Sequence, residues 1–357
     1  MSGHAARTAA ADVVCLGESM VTFLPSQPGR LADVPAFGRG IGGAESNVAC
    51  ALAASGHRAK WVGRVGADGF GDHLVEAIAA YGVDTSAVRR DPDRPTGIYF
   101  RTATDRATDT HEVAYYRAGS AASAMSPHNV PYEDLLSGRV LHLSGVTAAL
   151  SADCLDLLTD LTAPRDGRPL VSFDVNHRPG LWRGRQAGPQ VLLGIARRCD
   201  LVFVGEDEAE EAWGVSGAEA IRAALPEPEV LVVKRSADGV TVFSRTDGGP
   251  EGSTPAGDTV TVVPSLRVDV VAAVGAGDAF AAGFLSATLR GLPVRERARH
   301  GHLMAAAVLT VPGDLTGPPA RAHADRLAAL DDDAWGTLRL GPGWTAAEGA
   351  NEEVRVT

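Results

Sequence analysis

The sequence predicts an α/β fold: a three-layer α/β/α arrangement around a mainly parallel central sheet, with a small β-sheet lid. Three observations carry this. Short apolar runs bounded by turn residues alternate with stretches of helical period along most of the chain. The connections between them are short, which suits a parallel sheet covered by helices on both faces. One segment breaks the rhythm: residues 96–117 alternate β-branched and aromatic with polar side chains around a polar turn, the pattern of a hairpin with one wet face.

In chain order, residues 1–11 read as a flexible leader and "DVVCLGE" (12–18) as the first buried strand. "VTFLP", within about 20–25, joins 96–117 in the lid. "AESNVACALAASG" (44–56) has helical period and stops at Gly56. "AKWVGRVG" (59–66) is a strand, and "GFGDHLVEAIAAYGV" (69–83) an amphipathic helix closed by Gly82. Strands at 139–145, 169–176 and 200–205 are each followed by a helix, at about 151–162, 188–198 and 206–213. "EVLVVKR" (229–235) and "GVTVFS" (239–244) form a hairpin. Helices follow at about 276–290 and 294–311. The expected organisation is one domain over 12–332 and a polar, partly disordered tail over 333–357.

Composition narrows function. Apolar residues make up 45% of the 357 and charged residues 22%, ordinary for a soluble globular protein. A formal net charge of −11 argues against nucleic acid or an anionic membrane surface as main partner. It leaves room for an acidic small molecule held by local arginines. Cys15, Cys50, Cys154 and Cys199 lie far apart in apolar stretches, which reads as buried free thiols in a reducing cytoplasm. No secretory leader is visible, and no segment has the ~20 apolar residues of a membrane span. An open lid edge leaves room for a homo-oligomer.

The chemistry concentrates in "AAVGAGDAFAAGF" (272–284). Gly275, Ala276 and Gly277 let backbone come close to a ligand, and the N–H groups at a helix start form an anion hole. Asp278 follows at once, so it is either a helix cap or a base awaiting a substrate proton. "GRGIGGAESN" (38–47) has G-x-G-x-x-G spacing, but "DVPAF" before it is no clear buried strand. It reads better as a glycine turn feeding a helix, with Asn47 either facing a cleft or capping. No Walker A sequence occurs. "FDVNHRPGLW" (173–182) sets Asp174, Asn176 and Arg178 just past a strand end, where ligands of open α/β sheets bind. Arg178 suits a carboxylate or phosphate, or is a surface arginine. "AYYRAGSAAS" (114–123) puts Tyr115 and Tyr116 on opposite strand faces before Arg117. "GEDEAEEAW" (205–213) complements a helix dipole, and Glu208 is also a candidate near magnesium.

Together these segments resemble the ribokinase-like (PfkB) family of sugar kinases over about residues 12–330. "GGAESNVACALAASG" with "VGRVGADGFG" is similar to its N-terminal signature, including Gly42, Gly43 and Asn47, and "GAGDAFAAGF" to its C-terminal one. Within that family, "TGIYFR", "YYRAGSAAS", "HLSGVTAALS" and "DVNHRPGLW" look most like 2-keto-3-deoxygluconate kinases. The resemblance implies a sugar-acid site of Gly42, Gly43, Asn47, Tyr99, Tyr115, Arg117 and Arg178, with Asp278 as base and Gly275, Ala276 and Gly277 around the phosphoryl group. It implies ATP across Lys234, Ser236 and Gly239, with Gly275 and Gly277 at its phosphates and His302 near adenine, and magnesium met through water by Glu208. The alternatives are a kinase of a neutral sugar such as fructose or ribose, or a weakly active sugar-binding protein on the same scaffold.

Three positions depart from the family pattern. Gly205 stands where Asn is expected, and His302 where Asn is common. Ala272 stands where the family usually has an Asp that helps bind a monovalent cation near the nucleotide loop. Weak or absent potassium activation is the expectation. Titrating activity with potassium against sodium and choline checks it, and a large potassium-specific gain would contradict it.

Overall fold

In the computed structural model, which describes residues 10–102, 112–185, 187–245, 257–346 and 354–355, the apolar runs of the sequence become the interior of an eight-stranded sheet. Its strands are β1 (Ala11–Leu16), β4 (Ala59–Val62), β9 (Gly138–Ser144), β10 (Leu170–Asp174), β11 (Leu201–Gly205), β12 (Val230–Lys234), β13 (Val240–Arg245) and β14 (Asp258–Val263). The order is β14-β13-β12-β11-β10-β9-β1-β4. Pairing is parallel from β12 through to β4, while β12–β13 and β13–β14 are antiparallel. β1 starts at Ala11, inside the segment expected to lead in. Two apolar cores, one per face of the sheet, are centred on Trp61, Phe203 and Phe284 and on Leu141, Phe173 and Leu192. The near-continuous apolar strands are what burial on both faces demands.

Chain direction across this sheet sets the site. From β1 the chain passes to β4 on one side, and later to β9 on the other. Ligands of open α/β sheets bind beyond the carboxyl ends of strands at such a reversal. The helix Ala44–Ala54 and the helix Ala276–Leu289 pack on each other over the same face.

The lid is a separate four-stranded sheet of β2 (Met20–Pro25), β3 (Phe37–Gly42), β7 (Ile98–Arg101) and β8 (Val113–Tyr116), ordered β3-β2-β7-β8. β3 corrects the reading of 38–43 as a glycine turn: it pairs antiparallel with β2 along its whole length. Its glycines hid a strand that has little side chain to pattern. The turn expected between β7 and β8 falls at 103–111, outside the described residues. The single strand expected over 59–66 is two. After Gly63 the chain leaves the main sheet, and β5 (Arg64–Gly66) pairs with β6 (Arg89–Asp91).

The segment from 333 onward, expected as a polar tail, carries secondary structure among its described residues. The helix Asp332–Thr337 and the strand β16 (Leu338–Leu340) pack on the domain, with β16 beside β15 (Arg267–Val268) and β17 (Val354–Arg355). Polar composition masked three anchors, Trp335, Leu338 and Leu340, all buried. The Trp335 indole donates to Pro264 O at 3.0 Å, and the Arg299 guanidinium lies 4.8 Å over its ring. Residues 347–353 and 356–357 lie outside the described part.

Trp335→Ala is therefore expected to cost about 3–5 kcal/mol, as for other buried aromatics truncated to alanine. Urea unfolding measures this. A loss below about 1 kcal/mol, the range of a surface site, would show that 332–340 is an appendage.

Candidate active site

Strand ends and the starts of the helices Ala44–Ala54, Glu206–Trp213 and Ala276–Leu289 converge on two adjoining cavities. The first, about 350 Å³, holds every residue expected at a sugar acid: Gly42, Gly43, Asn47, Tyr99, Tyr115, Arg117 and Arg178, together with Gly275, Ala276, Gly277 and Asp278. The second, about 670 Å³, holds Lys234, Ser236, Gly239, Gly277 and His302. Gly275 faces only the first. The two share Glu208, Lys234, Ala273, Ala276 and Gly277. Their common wall is thus Ala273, the first two residues of the helix Ala276–Leu289, and the side chains of Glu208 and Lys234.

The turn into this helix needs its glycine. Gly275 has φ 78°, a left-handed conformation that L side chains seldom adopt. A Cβ there would also lie 2.6 Å from Asp314 O. The first N–H groups of the helix after it have no partner within the helix, and with the helix dipole they favour an anion.

Asp278 is not the cap of this helix. The N-cap is Gly275, and the Asp278 carboxylate accepts a hydrogen bond from Asn47 Nδ2 at 2.9 Å. Burial, with Asp174 and Asp314 nearby, pushes its pKa up to about 7, against the opposing effect of the Asn47 bond. It keeps a partial opening to the cavity. Asn47 does line the cavity: its amide nitrogen orients the Asp278 carboxylate, and its Oδ1 is buried without a hydrogen-bond partner.

The lid closes the other side. Tyr99 is buried, and its hydroxyl donates to Asp314 Oδ2 at 2.9 Å, while Arg101 Nη2 bonds Asp314 Oδ1 at 2.6 Å. Gly42 makes room for this: a Cβ there would lie 2.3 Å from Tyr99 Oη. The Tyr115 ring sits 5.4 Å from that of Tyr99, and Tyr116 packs oppositely, edge-on to Phe100. Arg117 stacks over Tyr115 and forms an ion pair with buried Glu18, which also accepts from Ser120 Oγ at 2.5 Å. Arg178 is held loosely. Its side chain is 58% exposed, with Glu208 3.7 Å away, so its guanidinium remains available.

On the second cavity's side, Lys234 Nζ lies 3.1 and 3.2 Å from the two oxygens of buried Asp174. Glu208 does what the plain reading expected and more. Its Oε2 accepts the Gly205 N–H at 2.8 Å, closing the helix start, while the carboxylate borders both cavities. No cluster of three metal-ligating side chains occurs among the described residues. A lone carboxylate still fits a magnesium ion held mainly by phosphates and water. His302 is buried edge-on to Phe280 at 5.2 Å, and burial lowers its pKa to about 4. It is a neutral, flat wall. Asn176 (φ 39°) and Ser236 (φ 47°) are the non-glycine residues of positive φ in the described chain. One lines each cavity, and such strain gathers at functional sites.

Sequence reasoning missed Glu18 and Asp314. Glu18 had a signal, since it follows the first strand directly and so stands at a strand's carboxyl end. Asp314, in "VPGDLTG", had none. Its importance comes from contacts with Tyr99, Arg101 and Gly275, all distant in sequence.

The description pfkB family carbohydrate kinase matches residues 10–321. The 2-dehydro-3-deoxygluconokinase of Bacillus subtilis (strain 168) is 34% identical over 317 residues, covering 87% of this chain and 93% of that protein. The enzyme of the same name from Thermoproteus tenax is 31% identical, covering 88% of this chain and 93% of its own length. The crystal structure of a PfkB protein from Polaromonas sp. JS666 superposes with a TM-score of 0.74 at 34% identity, covering 88% of this chain and 99% of that one.

The raised pKa of Asp278 gives two linked expectations. A base must be ionised, so kcat/KM falls as pH drops through about 7. Because the pKa is higher folded than unfolded, the ionised form burdens the fold, and the burden grows as pH rises toward about 7. Asp278→Asn is expected to melt higher than wild type at pH 8, with the gain shrinking toward pH 4. Its turnover should fall by about 10²- to 10⁴-fold. Near-normal kcat in the variant, or a melting difference that ignores pH, would contradict this assignment.

Proposed function

This chain belongs to the pfkB family of carbohydrate kinases, and on that premise we propose that it uses ATP to phosphorylate the primary hydroxyl of a sugar acid, 2-keto-3-deoxygluconate, yielding the 6-phosphate. The observation that carries the choice of substrate is the pair of guanidinium groups, Arg117 and Arg178, in the cavity that also holds Asp278. A neutral sugar has no need of them, and a carboxylate does. The relatives named 2-dehydro-3-deoxygluconokinase support the same reading.

The sugar's primary hydroxyl faces Asp278, which takes its proton as the oxygen bonds to the γ-phosphorus. The bond from that phosphorus to the β-phosphate oxygen breaks, and ADP leaves. Backbone N–H groups at 275–278 hold charge on the transferring group. Asn47 keeps the carboxylate aimed. Tyr99 and Tyr115 wall the sugar and limit the access of water. Magnesium, when bound, neutralises phosphate charge, and Glu208 is the side chain that would meet it, through water. His302, neutral and set edge-on to Phe280, is the ring offered to adenine, with Ser236 and Gly239 lining the same cavity. Four buried, unpaired cysteines suit the reducing cytoplasm expected from the sequence.

One observation favours a second reading, a neutral sugar as substrate. Glu18 already neutralises Arg117, and Glu208 lies 3.7 Å from Arg178, so both guanidinium groups of the cavity have a carboxylate beside them.

Assaying 2-keto-3-deoxygluconate beside fructose and ribose with ATP and magnesium separates the two. The acid is expected to have the highest kcat/KM. Arg117→Ala and Arg178→Ala should raise KM for the acid by about 10- to 100-fold, the worth of a charge-assisted hydrogen bond, and leave neutral-sugar KM nearly unchanged. Faster turnover of fructose, or equal shifts for both kinds of sugar, would transfer the assignment to a neutral substrate.

A further inference from the structure

We propose that Lys234 is a catalytic residue whose fixed ammonium stabilises the transferring phosphoryl group at the boundary between the two cavities, with Asp174 as its positioning partner. The inference rests on sugar kinase activity, not on which sugar is used.

Lys234 ends β12 and lines both cavities. Glu208, Ala273, Ala276 and Gly277 are the other residues that do so. Among these five, Lys234 brings the positive charge. It points at the anion hole: a Cβ on Gly277 would stand 3.9 Å from Nζ. Asp174, at the end of the neighbouring-but-one strand β10, fixes the ammonium with both carboxylate oxygens and is itself 3% exposed. Burial works against the charge, but Asp174 and Glu208 outweigh it and hold the pKa above the ordinary lysine value. The ammonium is therefore present throughout the neutral pH range.

A cation whose sole task was to neutralise Asp174 would not need to border both cavities. During transfer, charge shifts from the γ-phosphoryl oxygens toward the bridging oxygen of departing ADP, while the sugar oxygen gains phosphorus and gives its proton to Asp278. A fixed ammonium between donor and acceptor sides stabilises that change without reorganising. Glu208, the other charged residue of the shared wall, is acidic, so positive charge at that wall comes from Lys234.

The test uses the full chain and whichever sugar the wild type turns over fastest, so a wrong substrate assignment leaves it intact. Lys234→Ala is expected to lower kcat at least 100-fold, with KM for sugar and for ATP within about threefold, the split of an interaction made in the transition state. Added ethylammonium should restore at least tenfold of the loss and leave wild type unaffected. Loss of KM alone, or a folded variant that ethylammonium does not rescue, overturns the proposal. Because Lys234→Ala strands a buried carboxylate, Asp174→Asn and the double variant Asp174→Asn/Lys234→Met are compared too, which removes both charges together. The proposal requires the double variant to be at least tenfold slower than Asp174→Asn. Equal rates would reduce Lys234 to a counter-ion.

Discussion

Two cavities can exchange a group only across the wall they share, and here that wall is Ala273, the helix start at Ala276 and Gly277, and the side chains of Glu208 and Lys234. The glycine turn that sets this helix start is the point the rest of the structure serves. The sheet brings Asp174, Gly205 and Lys234 to the same edge through three neighbouring strand ends. The helix Ala44–Ala54 packs on the helix Ala276–Leu289 so that Asn47 meets Asp278. The loop through Asp314 supports Gly275 from behind and, through Tyr99 and Arg101, ties the lid to the turn. The lid, Asp278 and the glycine turn are therefore one connected unit.

This arrangement gathers charge where a fold built for stability would place carbon. Asp278, Glu18 with Arg117, Asp174 with Lys234, and Asp314 with Arg101 are all withdrawn from water around one cleft. Buried pairs of this sort recover little of their desolvation cost. The apolar cores on the two sheet faces and the anchoring of Trp335 supply the stability that the cleft does not. Pre-positioned charge is what phosphoryl transfer asks of a protein, since the reaction needs placement and neutralisation more than covalent help.

Much of this was legible in the sequence, for physical reasons. Continuous apolar runs marked the buried strands, and the small-residue turn before an apolar helix marked the helix start that borders both cavities. The residues expected at the sugar do meet around one cavity. What escaped was information that no local pattern carries. β3 has glycine at three of its six positions, leaving its period unread. The segment 332–340 is polar by composition, yet three apolar side chains decide its packing. Asp314 acts through partners more than 200 residues away in two of its contacts. Asn47 lines the first cavity, and its partner there is Asp278, a pairing 231 residues apart.

The most direct measurement is a crystal structure of the full chain with 2-keto-3-deoxygluconate and a non-hydrolysable ATP analogue bound together. The account predicts the sugar's primary hydroxyl within about 3.2 Å of the Asp278 carboxylate, and the analogue's terminal phosphate against the N–H groups of 275–278. A sugar bound with that hydroxyl turned away from Asp278, or a terminal phosphate seated elsewhere than the glycine turn, would contradict it.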